Sequence, residues 1–443
     1  MHTILVLGAG RSASTLLRYL NTEAESSNWQ VKVADLNLQL AEQKIQGLQK
    51  LEAIELNITD QESLRSEVKK VSLVISMLPA RFHPIVAEIC VQEKVHMVTA
   101  SYISDEMHVL DQAAKDAGVS LMNEVGVDPG IDHMSAMRML DRLRNEGAKF
   151  HCFESFTGGL LAPESEDNPW KYKFTWNPRN VVLAGQGGAV KFIHEGRYKY
   201  IPYHQLFRRT EVIDIEGFGR FEGYANRDSL WYREVYGLED IPTIYRGTLR
   251  RPGFSKAWDI FVKLGATDDS YTLYNSEDMS YRQFINTFLA YHPSDSVELK
   301  LRYHLKIDQD SDVMEKLEWL GIFEETKIGL KDASPAQILQ HILEQKWKMN
   351  PGDKDMIIMW HKVQYDLNGE RKEVNASMAD IGEDLTHTAM SRTVGLPVGI
   401  AAKMILNGEI KERGALLPTK PSIYNPILNE LELHGIKFTE HEL

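Results

Sequence analysis

Residues 3–13 read Thr3-Ile4-Leu5-Val6-Leu7-Gly8-Ala9-Gly10-Arg11-Ser12-Ala13. Five β-branched or apolar residues run into two glycines, and beyond them Ala13, Leu16, Leu17 and Leu20 fall at helical spacing. The stretch therefore predicts a strand, a tight turn and a helix with one apolar stripe. This is the setting that the fingerprint G-x-G-x-x-[GA] requires of a dinucleotide site. Gly8 permits the turn, Gly10 lets the backbone approach a pyrophosphate, and Ala13 is small enough for close helix-to-strand packing. Arg11 and Ser12 sit within the turn, and the helix N-terminus offers unpaired N–H groups to phosphates. Asp35 ends the next strand-like run, where a carboxylate accepts from ribose hydroxyls and repels a 2′-phosphate. That predicts NAD over NADP, with NADP still possible.

Outward from this turn, further short apolar runs alternate with helical periodicity: Gln30 to Ala34, Ala53 to Leu56, Leu73 to Met77, Met97 to Ala100 and Leu121 to Val125. The alternation predicts an α/β fold, a parallel sheet with helices on both faces. Asp60 and Ser104 are placed to cap two of the helices. From about Asp128 glycines, aromatics and arginines mix with strand-like pieces such as Val212 to Ile215, which predicts a mixed α/β domain. Tyr172, Phe174 and Trp176 alternate as on a half-buried strand. Val313 to Leu320 and Ala336 to Trp347 carry helical patterns within a small helical subdomain, and Asp355 to Tyr365 predicts a return to strand. Ala389 to Leu406 is helical, interrupted by Pro397, and is expected to pack on the N-terminal domain. The boundaries drawn are 1–128, then 129–280 with 350–388, then 281–349, and last 389–443.

Composition narrows the function. At 443 residues the chain exceeds one ordinary core. Fifty basic against 63 acidic residues give a charge of -13, which disfavours nucleic acid and anionic lipid as partners. Cys90 and Cys152 have no metal-ligand spacing, and the histidines do not group, so no metal is expected. No export signal or long apolar span is read, and the expected compartment is cytoplasmic. HExxH, nucleophile-elbow and P-loop motifs are missing from the sequence.

Six uncommon strings occur in order: Val98-Thr99-Ala100-Ser101-Tyr102, Asp128-Pro129-Gly130-Ile131-Asp132-His133-Met134, Gly158-Gly159-Leu160, Asn226-Arg227-Asp228-Ser229, Arg246-Gly247-Thr248-Leu249-Arg250 and Thr393-Val394-Gly395-Leu396-Pro397. Together they resemble the glutamate-forming saccharopine dehydrogenases, including the dehydrogenase half of the bifunctional animal lysine-degradation enzyme. The resemblance implies a variant Rossmann domain with a doubly wound sheet, an inserted substrate and dimerisation domain, a small helical domain and a homodimer. It implies oxidative cleavage of saccharopine to glutamate and 2-aminoadipate 6-semialdehyde. The nucleotide would be lined by Ser12, Asp35, Gln39, Leu78, Ala100, Asp128 and Trp176. Ser101, Tyr102, Asp128, Arg227 and Thr248, Leu249 and Arg250 would meet saccharopine, with Tyr102 and Asp128 the candidates for acid–base catalysis. Thr157 stands where the family carries a cysteine, so no thiol role carries over. Asp35 departs from the fungal NADP-using members and sides with the NAD-using animal ones. The alternatives are an NADP-linked saccharopine reductase of lysine synthesis, a related imine reductase, and a nucleotide-binding regulator without catalysis.

Overall fold

A computed structural model describes residues 2–443. The chain forms two compact units, the first made of 1–149, 366–372 and 376–443, the second of 150–365 and 373–375.

The first unit is built on β1 (Thr3–Leu7), β2 (Gln30–Asp35), β3 (Leu51–Glu55), β4 (Leu73–Ser76), β5 (His96–Thr99) and β6 (Ser120–Met122). Their order is β6-β5-β4-β1-β2-β3, and a C-terminal strand, Gly414–Leu416, adds beside β6. Every pairing is parallel. Strand order reverses between β1 and β4, the place where open α/β sheets leave a crevice for ligands. Leu5, Val74, Met97 and Leu121 are buried with helix residues such as Val86 and Ala87. Asp60 and Ser104 cap their helices through side-chain oxygens, as their residue type predicts. The strand expected to reach Val125 stops at Met122, because Glu124 turns to φ 57 and its N–H goes to the Ser101 carbonyl at 3.1 Å.

Helix Ala389–Leu406 continues through Pro397, whose ring removes one intrahelical donor without ending the helix. It packs on helix Ser14–Ser27 at two glycines. A Cβ on Gly395 would lie 2.8 Å from the Leu16 nitrogen, and one on Gly399 2.6 Å from the Tyr19 ring. By length and composition the helix could cross a membrane, yet most of it is buried inside this unit. Helix Ile131–Asn145, expected to open the second domain, belongs to the first unit. It is fastened to helix Pro421–Leu433 by Arg138 to Glu432 at 2.7 Å and by the Tyr424 hydroxyl to Asp141 at 2.6 Å.

The second unit holds a mixed sheet of β7 (Lys149–Leu161), β8 (Val190–His194), β9 (Arg197–Ile201), β10 (Thr210–Ile215), β11 (Gly219–Ala225), β12 (Thr243–Arg250) and β13 (Asp355–Leu367). The main order is β10-β11-β12-β7-β13, with β8 pairing β12 and β9. β12 runs antiparallel to β11 and parallel to β7. Helices Asp312–Trp319 and Pro335–Lys346 lie within this unit, not in a unit of their own. Residues 171–176 are not a strand: the Phe174 N–H goes to the Trp347 carbonyl at 2.8 Å, and Tyr172 and Phe174 pack edge-on against Trp347. Alternation there reflects rings set into an aromatic core that includes Trp170, Phe254 and Trp258.

Candidate functional site

The turn after β1 fits a dinucleotide. Gly8 has φ +97, and a Cβ there would stand 3.2 Å from the Met77 carbonyl oxygen and 3.6 Å from Leu78, so only glycine suits the close approach to the end of β4. A Cβ on Gly10 would meet nothing within 4 Å, which leaves its face of the turn open to a bound group. Ala13 is buried, and the helix behind it is held by Ser391, whose hydroxyl accepts from the Thr15 N–H at 2.9 Å. Asp35 accepts from Ala9 N–H at 2.9 Å and Asn37 N–H at 3.0 Å, so its carboxylate ties the end of β2 to the glycine turn. Arg11 and Gln39 are exposed, while Ser12 is half-buried. Lys44 donates to Ser14 at 2.8 Å, and burial together with the Arg11 charge lowers its pKa.

On the neighbouring strand ends, the expected catalytic residues meet. The Tyr102 hydroxyl donates to Asp128 Oδ1 at 2.8 Å. Ser101 Oγ lies 2.8 Å from Nε2 of His83, whose Nδ1 is 2.9 Å from Ser76 Oγ. Nothing in the sequence marks His83, which stands alone there with no partner at a telling spacing. Burial holds its imidazole down at about 4, so it is neutral near pH 7. Ala100 abuts the turn that carries Asp128: a Cβ on Gly126 would come within 3.0 Å of the Ala100 Cβ.

The remaining expected residues lie in the second unit. Thr248 stands opposite Tyr224 across β11 and beside Thr157 across β7. Arg250 is buried, within 5.3 Å of the Tyr172 and Phe254 ring centres and 6.0 Å of that of Tyr224. Glu222 is opposite Arg250 in register, but its carboxylate accepts from the Gly253 and Ser255 N–H groups, capping the helix that follows. Among the described residues no carboxylate pairs with Arg250, whose Nε is also unmatched. Burial raises the Tyr172 and Tyr224 hydroxyl pKa values, opposed by the Arg250 charge. Leu249 faces the other side of β12, toward Gly158, where a Cβ would stand 2.9 Å from it. Arg227 is exposed at φ 51, two residues past the Ala225–Gly247 pair, so the register sets it apart from Arg250. Trp176 is half-buried. The sequence pattern predicts a packing role for Tyr172; the structure puts it beside the arginine as well.

A fingerprint turn on a parallel sheet of this order, with a second mixed sheet, defines an α/β protein of the dinucleotide-binding class. The chain matches the family model described as "Saccharopine dehydrogenase NADP binding domain" over residues 4–122 and that described as "Saccharopine dehydrogenase C-terminal domain" over 126–436. It is 33% identical over 448 residues to the saccharopine dehydrogenase (NADP(+), L-glutamate-forming) of Pyricularia oryzae, covering 99% of this chain and 98% of that one. It is 34% identical to the mitochondrial alpha-aminoadipic semialdehyde synthase of Rattus norvegicus, over 98% of this chain and 47% of the relative, so it spans about half of that protein's length. Apo histidine-tagged saccharopine dehydrogenase (L-Glu forming) from Saccharomyces cerevisiae superimposes with a TM-score of 0.90 at 30% identity, covering 100% of both chains. The chain belongs to the saccharopine dehydrogenase family.

Proposed function

We propose that the chain oxidises saccharopine and releases glutamate and 2-aminoadipate 6-semialdehyde. The observation that carries this reading is the Tyr102–Asp128 hydrogen bond of 2.8 Å in the unit that bears the dinucleotide turn. A bound nicotinamide nucleotide supplies the hydride acceptor. Saccharopine's secondary amine must be neutral before hydride leaves the adjacent carbon, and water must then add to the imine before glutamate departs. A linked phenol and carboxylate can take the first proton and return one to nitrogen as the carbinolamine collapses. Arg250 suits a substrate carboxylate, since a buried guanidinium with no anion beside it among the described residues gains most from one. Arg227, set apart along the same strand pair, suits a second carboxylate of an elongated substrate.

NAD is the preferred nucleotide in this proposal, because Asp35 opposes a 2′-phosphate. Arg11 in the turn and Lys44, which donates to Ser14, are the cations that would offset that repulsion, and the names of the fungal relatives specify NADP(+). The chain also pairs with a second copy through its second unit, a reading supported by Tyr198, Tyr200 and Val212, which are 54%, 60% and 67% exposed on β9 and β10. Light scattering at the monomer mass would remove the dimer. Initial rates of NADH and NADPH formation from saccharopine test the activity. Turnover with NAD well above NADP is expected. Tight dinucleotide binding without turnover by either would replace this reading with another imine substrate or a regulatory role.

A further inference from the structure

Behind the Tyr102–Asp128 pair lie three ionisable side chains that the proposed chemistry leaves unused. Glu124, Asp132 and His133 are each at most 1% exposed. Glu124 Oε1 accepts from the Ile103 N–H at 2.9 Å, next in sequence to Tyr102. Its other oxygen lies 2.8 Å from His133 Nε2, and His133 Nδ1 lies 3.5 Å from Asp132 Oδ2. Asp132 Oδ1 in turn accepts from the Gly130 N–H at 2.6 Å, two residues from Asp128. The contacts close a ring, since the Tyr102 hydroxyl returns to Asp128.

The two segments that carry the pair lie beyond the sheet and are held by a few isolated backbone contacts, among them Glu124 N–H to the Ser101 carbonyl at 3.1 Å and Gly126 N–H to the Pro129 carbonyl at 2.8 Å. Residues 100–104 and 123–130 leave the ends of β5 and β6 as irregular backbone, with Glu124 at φ 57 and Gly130 at φ 148. A proton-transferring pair loses rate steeply when its atoms drift by a fraction of an ångström. Burying two carboxylates and an imidazole is costly unless each is partnered, and such polar interiors fix one geometry at the expense of stability.

We propose that Glu124, His133 and Asp132 form an interior clamp that positions Tyr102 against Asp128, acting through the Ile103 and Gly130 N–H groups. They are positioning residues, and the inference rests on the assignment of proton transfer to Tyr102 and Asp128. The test is a double-mutant cycle on the full chain, reading kcat with saccharopine and the Kd for NADH. Glu124→Gln is expected to lower kcat about tenfold, within the coupling range of neighbouring groups, while NADH binding stays within about twofold. In a Tyr102→Phe background the same change is expected to cost less than about twofold, because the hydroxyl it positions is gone. An equal loss in both backgrounds, or none in the parent, overturns the clamp. Full turnover by Tyr102→Phe alone overturns instead the assignment on which it rests. If Glu124→Gln does not bind NADH, His133→Gln, which alters the clamp at its centre, takes its place in the cycle.

Discussion

Two polar interiors in this molecule treat charge in opposite ways. In the first unit, Glu124, His133 and Asp132 are buried together, the two carboxylates accepting from the Ile103 and Gly130 N–H groups and lying 2.8 and 3.5 Å from the His133 nitrogens. In the second unit, Arg250 is buried among Tyr172, Tyr224 and Phe254 with no carboxylate paired to it among the described residues. An interior whose polar groups face one another and the backbone holds geometry, whereas Arg250 is left to rings and one carbonyl, the state in which a buried cation gains most from an anion. The proposed positioning of Tyr102 and the proposed binding of a substrate carboxylate thus rest on different units.

The sharpest way to break the comparison is at the first unit's pair. Tyr102→Phe should lower kcat by about 10²- to 10⁴-fold, the usual worth of a general acid–base group, with NADH affinity kept. A loss confined to KM would move Tyr102 to substrate binding. Next is the pH dependence of His83. Its folded pKa of about 4 lies below the ordinary 6.5, so its contribution to stability is complete above pH 6.5 and is lost as pH falls toward 4. The amount is about 3 kcal/mol, from a difference of roughly two and a half pKa units. Chemical denaturation of His83→Gln between pH 7 and 4 should show a flatter decline than the parent, and parallel curves would reject the assignment.

The second unit offers the contrasting experiment. Arg250→Met should cost about 1.5 to 3 kcal/mol in kcat/KM for saccharopine, the scale of a charged hydrogen bond. Unfolding midpoints should change little, because no internal anion is orphaned. A large fall in stability with unchanged kcat/KM would make Arg250 part of the packing. Gly395→Ala, with its Cβ 2.8 Å from the Leu16 nitrogen, should destabilise the first unit by about 1 to 3 kcal/mol in thermal or denaturant unfolding. The smallest expected effect is on nucleotide choice. Asp35→Asn should move the NAD-to-NADP ratio of kcat/KM about tenfold toward NADP, roughly 1.4 kcal/mol. No movement would leave Arg11 and Lys44 as the determinants.

Local pattern made the first unit legible. β1 runs from Thr3 to Leu7 as its apolar run predicts, and the Asp60 and Ser104 caps and the helix from Ala389 to Leu406 follow from residue type and spacing within about one turn. The same reasoning failed at residues 171–176, where alternating aromatics mimic a strand and an aromatic core decides otherwise. The change of texture at Asp128 likewise predicts a boundary there, whereas helix Ile131–Asn145 packs with the C-terminal helix Pro421–Leu433 in the first unit.

By itself the sequence determined the dinucleotide turn, the parallel sheet and the candidate residues for chemistry, because turn sterics, periodicity and caps act over a few neighbours. Only the tertiary structure decided that Tyr102 meets Asp128, that Glu124 reaches both Ile103 and His133, and that Arg250 has no carboxylate partner among the described residues while Glu222 opposite it caps a helix. Those contacts join residues from different segments. Their geometry is set by strand order and by what is left to satisfy each buried polar group, and neither is written in local spacing.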